Sequence, residues 1–344
     1  MKAAHLLGTR SLEIRDVQEP PLGTGEVRIR IEAALTCGTD LKVWRRGYHA
    51  RMLQPPCRFG HELAGLIVEA GPGVSGWREG DRVVAANSAP CGTCRSCRKG
   101  QQQLCSDLLF LNGAYAESLV VPERIVTTNL HRIPSGLDFG AAAMAEPLAC
   151  VLLGVEELGV EAGDRILVLG SGPIGLLAAV VLRSLGARVS VAGRGAHRLE
   201  MARSLGAEEV MAVSEEGNLG DVVAHAEAMG GFDAVFEAVG QPRAWEAAVL
   251  AVRPGGRVNW FGGCPSGTSV HLDTARIHYG SLNLRASFHH TPEMFRRALE
   301  FLGAGKIPVG SFITAEASLR ELPAVFERID QGGAPLKTLI RCQP

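Results

Sequence analysis

Ile166-Leu-Val-Leu-Gly-Ser-Gly-Pro-Ile-Gly175 is the stretch whose reading decides the fold. Ile166 to Leu169 is a short apolar run of the kind that lies in a parallel sheet buried on both faces. Gly170-Ser-Gly-Pro-Ile-Gly175 follows at once and has the form G-x-G-x-x-G. Ile174 to Leu185 then reads as a helix. A strand, a glycine turn and a helix in that order suit a dinucleotide. The glycines allow a tight turn and a close backbone approach, and the helix N-terminus faces the pyrophosphate. A glycine-rich turn without a ligand is the plainer reading, and this context argues against it. Gly170, Gly172, Pro173, Ile174 and Gly175 are the candidate cofactor residues.

Working outward, Val189-Ser-Val191 reads as the next strand, followed by helix through Leu205. Phe232 to Phe236 and Arg257 to Phe261 read as strands with a helix, Ala244 to Val252, between them. Alternating strand and helix predicts a parallel, doubly wound sheet of the α/β class. Residues 1–150 differ in texture. Glu26-Val-Arg-Ile-Arg-Ile-Glu32 alternates with period two, Leu63 to Glu69 is another β-like run, and Gly71-Pro72-Gly73 and Gly80-Asp81 break the chain. That pattern predicts a β-rich, barrel-like domain. From about Thr291 the chain turns to a helix, Glu293 to Leu302, and then to short mixed elements.

The second strand of a dinucleotide fold commonly ends in an acid that binds the adenosine ribose. Here Val191-Ala-Gly193-Arg194 has no acid, and Gly193 stands in its place. Removing a carboxylate and adding the Arg194 guanidinium favours a 2′-phosphate. Arg198 is a second candidate contact, or a solvated helix residue. The expectation is NAD(P) as cofactor, leaning to NADP.

Nine cysteines are an odd count for a disulfide framework in a chain of 344 residues. Four of them, Cys91, Cys94, Cys97 and Cys105, follow the spacing Cys-x2-Cys-x2-Cys-x7-Cys. Four thiolates so close in sequence can close a tetrahedral shell around zinc, and such a closed shell is structural. Gly92 and Gly100 allow the turns, and Arg95, Arg98 and Lys99 offset the charge. Free thiols, disulfides or an iron–sulfur cluster are the competing readings.

A second constellation lies elsewhere: Cys37-Gly-Thr-Asp40, Gly60-His-Glu62 and Glu146-Pro147. Cys, His and Glu in a three-ligand shell leave a fourth position open, as catalytic zinc requires. Zinc lowers the pKa of an alcohol that it polarises. A hydroxyl such as Thr39 can carry the departing proton, and a carboxylate such as Asp40 can hold the ring of His61 in the ligating tautomer. Taken singly, a buried Cys is usually packing and a His-Glu pair structural. Their force comes from occurring together.

These motifs, with Arg253-Pro-Gly-Gly256, resemble the zinc-containing medium-chain alcohol dehydrogenase family, nearest its sorbitol and polyol dehydrogenase branch. The likeness spans nearly the whole chain. It implies a GroES-like catalytic domain over 1–150, completed by 289–344, and a Rossmann domain over 151–288. It implies two zinc ions: a catalytic one on Cys37 and His61 with Glu62 or Glu146, and a structural one on Cys91, Cys94, Cys97 and Cys105. It places Lys42 where many relatives carry a His tied to proton relay, and Phe288-His-His-Thr-Pro292 near the cleft. Family members are commonly homodimers or homotetramers.

Lys plus Arg is 35 and Asp plus Glu is 36, so whole-chain charge offers nothing to attract nucleic acid or an anionic membrane. The longest apolar stretch, Ile174 to Leu182, is too short to span a bilayer. Met1 to Asp16 is charged too early for a secretory signal. The expectation is a cytoplasmic enzyme that moves a hydride between a polyol, sugar or cyclitol and NAD(P)+. A threonine-type amino-alcohol dehydrogenase or a carbonyl reductase is the alternative within the architecture, and a non-catalytic zinc-binding interaction protein the one outside it. Metal analysis separates the last: two zinc ions per chain are expected of the enzyme, one of the binding module.

Overall fold

The computed structural model describes residues 1–49, 51–214, 216–332 and 335–343. The chain divides into two units, Met1–Ala149 with His290–Pro344, and Cys150–His289.

The second unit is built on a six-stranded sheet whose neighbours are all parallel. Across the sheet the strands run Glu209–Ala212, Arg188–Gly193, Arg165–Leu169, Phe232–Glu237, Val252–Trp260 and Asn283–Ala286. In chain order that is 3-2-1-4-5-6, the doubly wound order of a dinucleotide fold. Helices Pro173–Ser184 and Pro242–Ala251 bury Leu176, Leu177, Val181, Ala247 and Ala248. The last helix-to-strand turn differs from expectation. The strand expected at Arg257 already begins at Val252, and a register irregularity opposite Phe232 and Ala234 absorbs Pro254 and Gly255.

The first unit has a seven-stranded sheet around the long strand Val27–Leu35. That strand pairs antiparallel with Leu63–Ala70 on one side. It also pairs with Ser118–Val121 and, at its other end, with Lys337–Arg341. The strand nearest the C-terminus therefore completes a sheet begun near the N-terminus. Arg28 breaks the expected alternation of inward apolar and outward polar residues. It is 8% exposed, and its Nε donates to Glu69 at 2.9 Å.

The apolar centre of this unit is aromatic. Phe326, from helix Leu322–Gln331, is fully buried and packs against Phe59, Trp44 and Tyr115 at ring separations of 5.6, 6.1 and 6.2 Å. No helix among the described residues is long and apolar enough to cross a membrane. Phe326→Ala should leave a cavity and cost about 3–5 kcal/mol, read as a lower midpoint of denaturant unfolding. A loss below about 1 kcal/mol would show that the site collapses to fill the space.

Candidate metal and cofactor sites

Strand pairing brings the first ligand set together. Cys37 lies just past Val27–Leu35, and Gly60-His-Glu62 just before its partner Leu63–Ala70. The pair Ala34↔Leu63 and the bond from Leu35 N–H to the Glu62 carbonyl at 3.1 Å set the two loops side by side. Donor atoms of Cys37, His61 and Glu62 lie within 4.8 Å of one another. Cys37 is also the N-cap of helix Gly38–Arg46, where its Sγ accepts from the Thr39 N–H at 3.4 Å.

Asp40 fixes the ring of His61. Its Oδ1 lies 2.9 Å from His61 Nδ1, and both residues are buried. An ionised carboxylate only accepts, so Nδ1 carries the proton and Nε2 is left with a lone pair that could bind a metal. Tyr115, fully buried, donates to the other Asp40 oxygen at 2.6 Å. Burial and the Asp40 charge push the Tyr115 hydroxyl well above its ordinary pKa, so it stays a donor.

Glu62 is held from the far end of the chain. Lys337 Nζ donates to its two oxygens at 2.7 and 2.6 Å and to the Thr36 carbonyl at 3.1 Å. Glu146 opens helix Ala145–Leu158. Burial pushes its carboxyl up to about 7, and the negative charge on Glu62 adds to the rise. Its carboxylate is near enough to feel that charge, but it is not one of the donors that lie within 4.8 Å of one another at Cys37, His61 and Glu62. The donor set suits zinc. Burial pushes the Cys37 thiol up and Glu62 raises it further. A thiol, an imidazole and carboxylates packed out of water are costly unless a cation neutralises them. Thr39 is half-buried beside Cys37, whereas Lys42 is exposed on the same helix.

The cysteine cluster forms a separate site. Donor sulfurs of Cys91, Cys94, Cys97 and Cys105 lie within 4.8 Å of one another. Cys94 Sγ is 3.5 Å from Cys97 Sγ and 3.8 Å from Cys105 Sγ. A tetrahedron of sulfurs bonded to zinc at about 2.3 Å has edges near 3.8 Å, so the cluster has the size the ion needs. Backbone amides point at the sulfurs: Cys94 N–H at Cys91 and Asp107 N–H at Cys105. The Cys97 amide helps to bring the Cys94 thiol down to about 5.

In the second unit the glycine turn leads from strand Arg165–Leu169 into helix Pro173–Ser184. Gly175 has no alternative, because a Cβ there would sit 1.9 Å from the Gly170 carbonyl oxygen. Gly172 caps the helix without a side chain, leaving its first N–H groups to a ligand. A cavity of about 170 Å³ opens beside this turn, lined by Ser171, Gly193, Arg194, Arg198 and Arg243 among others. Burial, then the positive charge of Arg194, lowers the pKa of Arg198. Such a pair of cations suits an anion.

Sequence reasoning missed Lys337, Tyr115, Asn87 and Arg243. Only Lys337 carried a signal, as a lone cation in the run Leu336-Lys-Thr-Leu-Ile340. The adjacent histidines part company: His289 has a positive φ of 63°, and His290 is 2% exposed. Lys337→Met should strand the Glu62 carboxylate and cost about 3–5 kcal/mol, read as a lower unfolding midpoint at fixed zinc. An unchanged midpoint would remove the pair from the account of this strand.

Residues 23–134 match the alcohol dehydrogenase GroES-like domain family, and residues 173–304 the zinc-binding dehydrogenase family. The chain is 34% identical over 302 residues to the L-threonine 3-dehydrogenase of Paraburkholderia phytofirmans, covering 86% of this chain and 85% of that protein. It is 28% identical over 335 residues to the sorbitol dehydrogenase of Bacillus subtilis, covering 95% and 93%. A Sinorhizobium meliloti structure, described as a zinc-binding dehydrogenase bound to NADP, superposes with a TM-score of 0.89 at 31% identity over 99% of this chain and 98% of that one. The chain belongs to the zinc-containing medium-chain alcohol dehydrogenase family and is a zinc- and NAD(P)-dependent enzyme of its polyol-dehydrogenase-like kind.

Proposed function

We propose that the protein oxidises a secondary hydroxyl of a polyol, sugar or cyclitol to the ketone, reversibly, and uses NADP+ ahead of NAD+. The observation that carries the reading is the close set of half-buried Cys37 with buried His61 and Glu62, with His61 fixed by Asp40, in a chain that also has a dinucleotide turn. Zinc supplies a Lewis acid and the nicotinamide a hydride acceptor. Cys37 and His61 hold the catalytic ion, with Glu62 or Glu146 as carboxylate, and the four clustered cysteines hold the structural one. Thr39 takes the alcohol's proton toward solvent. Asp40 keeps the His61 ring in its ligating tautomer. Gly170, Gly172, Pro173, Ile174 and Gly175 carry the pyrophosphate. Arg194 and Arg198, with Gly193 between strand and turn, bind the adenosine end.

A relative named L-idonate 5-dehydrogenase, from Vitis vinifera, shares 31% identity over 98% of this chain and supports a polyhydroxylated substrate. The relative named for threonine favours an amino-alcohol as the second reading. A homodimer or homotetramer in the cytoplasm is part of the proposal. The outermost strand of the second unit's sheet, Asn283–Ala286, is largely exposed, an edge that a second copy can cover.

A screen of polyols, sugars, inositols and L-threonine with NAD+ and NADP+ in parallel, read by reduced-cofactor absorbance, tests the substrate class. Turnover of L-threonine alone would move the assignment to the second reading. Arg194→Ala should lower kcat/KM for NADP+ by about ten- to a hundredfold, the worth of one charge-assisted hydrogen bond, and leave that for NAD+ nearly unchanged. A strong NAD+ preference present before and after this change would sink the NADP assignment. His61→Ala should abolish turnover and lose one of two zinc ions while the fold persists.

A further inference from the structure

Glu146 is held from behind by a buried polar chain. Asn87 Nδ2 donates to Glu146 Oε1 at 3.1 Å, and Asn87 Oδ1 lies 2.8 Å from His290 Nε2. Asn87 and His290 are each 2% exposed. The three residues come from separate parts of the first unit. Asn87 precedes the short strand Ser88–Ala89, where its carbonyl accepts from the Leu111 N–H at 2.8 Å. Glu146 lies in the first turn of its helix. His290 precedes Thr291, whose side chain caps helix Pro292–Gly303, and its ring lies 5.4 Å from that of Phe295.

With Glu146 ionised, as a carboxylate that binds a metal must be, the chain has one allowed polarity. An ionised Glu146 only accepts, so the Asn87 amide must turn its NH2 toward it. The Asn87 carbonyl then faces His290, which must carry its proton on Nε2 to donate. Burial holds the His290 pKa down to about 3, so the donor is a neutral imidazole. Without that donor, nothing at His290 would prevent the amide from flipping and turning its oxygen on the carboxylate.

We infer that Asn87 and His290 are positioning residues for Glu146: His290, acting through the Asn87 amide, sets the direction in which Glu146 presents its carboxylate to the catalytic metal. The inference rests on the proposal that Glu146 serves the Cys37–His61 metal. It adds two residues that act through the side chain of another.

The test uses four variants of the full chain, with zinc content measured by titration and the catalytic ion replaced by cobalt(II) for its visible spectrum. His290→Phe keeps a ring and removes the donor. It should weaken one of the two metal sites about 10–100-fold, the usual effect of losing an outer partner, and shift the cobalt bands. His290→Gln restores a donor and should return both towards the parent values. Asn87→Asp sets one carboxylate against another and should weaken the same site at least as much as His290→Phe. The four-cysteine site should stay filled throughout and reports that the fold is intact. Phe and Gln variants that lose metal alike would overturn the inference, since His290 would then act by volume. So would a Phe variant with parental affinity and spectrum beside an altered Glu146→Gln. If Glu146→Gln itself changes neither, the role of Glu146 at the metal falls, and the inference falls with it.

Discussion

The ion pair between Lys337 and Glu62 is the constraint on which the first unit depends. The two residues are 275 positions apart, and neither side chain is more than 2% exposed. Desolvating two charges costs several kcal/mol per ion, so a buried pair survives only with good geometry and further hydrogen bonds. Here the lysine reaches both carboxylate oxygens and the Thr36 carbonyl. That geometry exists only when Lys337–Arg341 is in register beside Val27–Leu35. The pair thus ties the closing strand to the opening sheet, and both to the loop that carries His61. Charge balance makes the same point. With Cys37 as thiolate, Cys37, Asp40 and Glu62 set three negative charges against the one positive charge of Lys337, an excess that a divalent cation offsets.

The proposed metal site is also tied to the apolar core along one line of side chains. Phe326 and Phe59 pack on the ring of Tyr115. The Tyr115 hydroxyl donates to Asp40, and Asp40 orients His61. Rigid packing at one end therefore fixes a tautomer at the other. A ring in the wrong tautomer would offer the metal a proton in place of a lone pair. The aromatic centre thus sets ligand chemistry as well as stability.

What could be read from the residues follows the sequence distance over which each feature acts. The glycine turn and the four-cysteine cluster are local, and their spacing with the residues around them points to the chemistry. Cys37 and His61 are farther apart, but each sits in a recognisable motif. Lys337, Tyr115 and Asn87 escaped because their partners lie 275, 75 and 59 residues away. No local period encodes such a meeting. The strands Glu209–Ala212 and Asn283–Ala286 escaped for another reason. They edge the parallel sheet and are only partly covered, so they lack the continuous apolar run of its central strands. Arg28 misled the alternation rule because its charge is met from the neighbouring strand by the exposed Glu69.

Gly193 shows how structure changes the meaning of a residue already noticed. In the sequence it marks a missing acid. In the fold it is a position without room for a side chain, because a Cβ there would fall 2.3 Å from Ser171 Oγ and 2.7 Å from the Ser171 backbone nitrogen. Ser171 in turn donates to the Arg194 carbonyl at 2.9 Å, tying the glycine turn to the end of the second strand. The absent carboxylate and the placement of Arg194 are therefore two results of one close approach. Restoring an acid at 193 would push the turn from its strand before it could contact a ribose. Arg194 and Arg198 repel each other as they stand, and a doubly charged phosphate would turn that repulsion into shared attraction. The proposed preference for NADP follows from backbone packing first and from the arginines second.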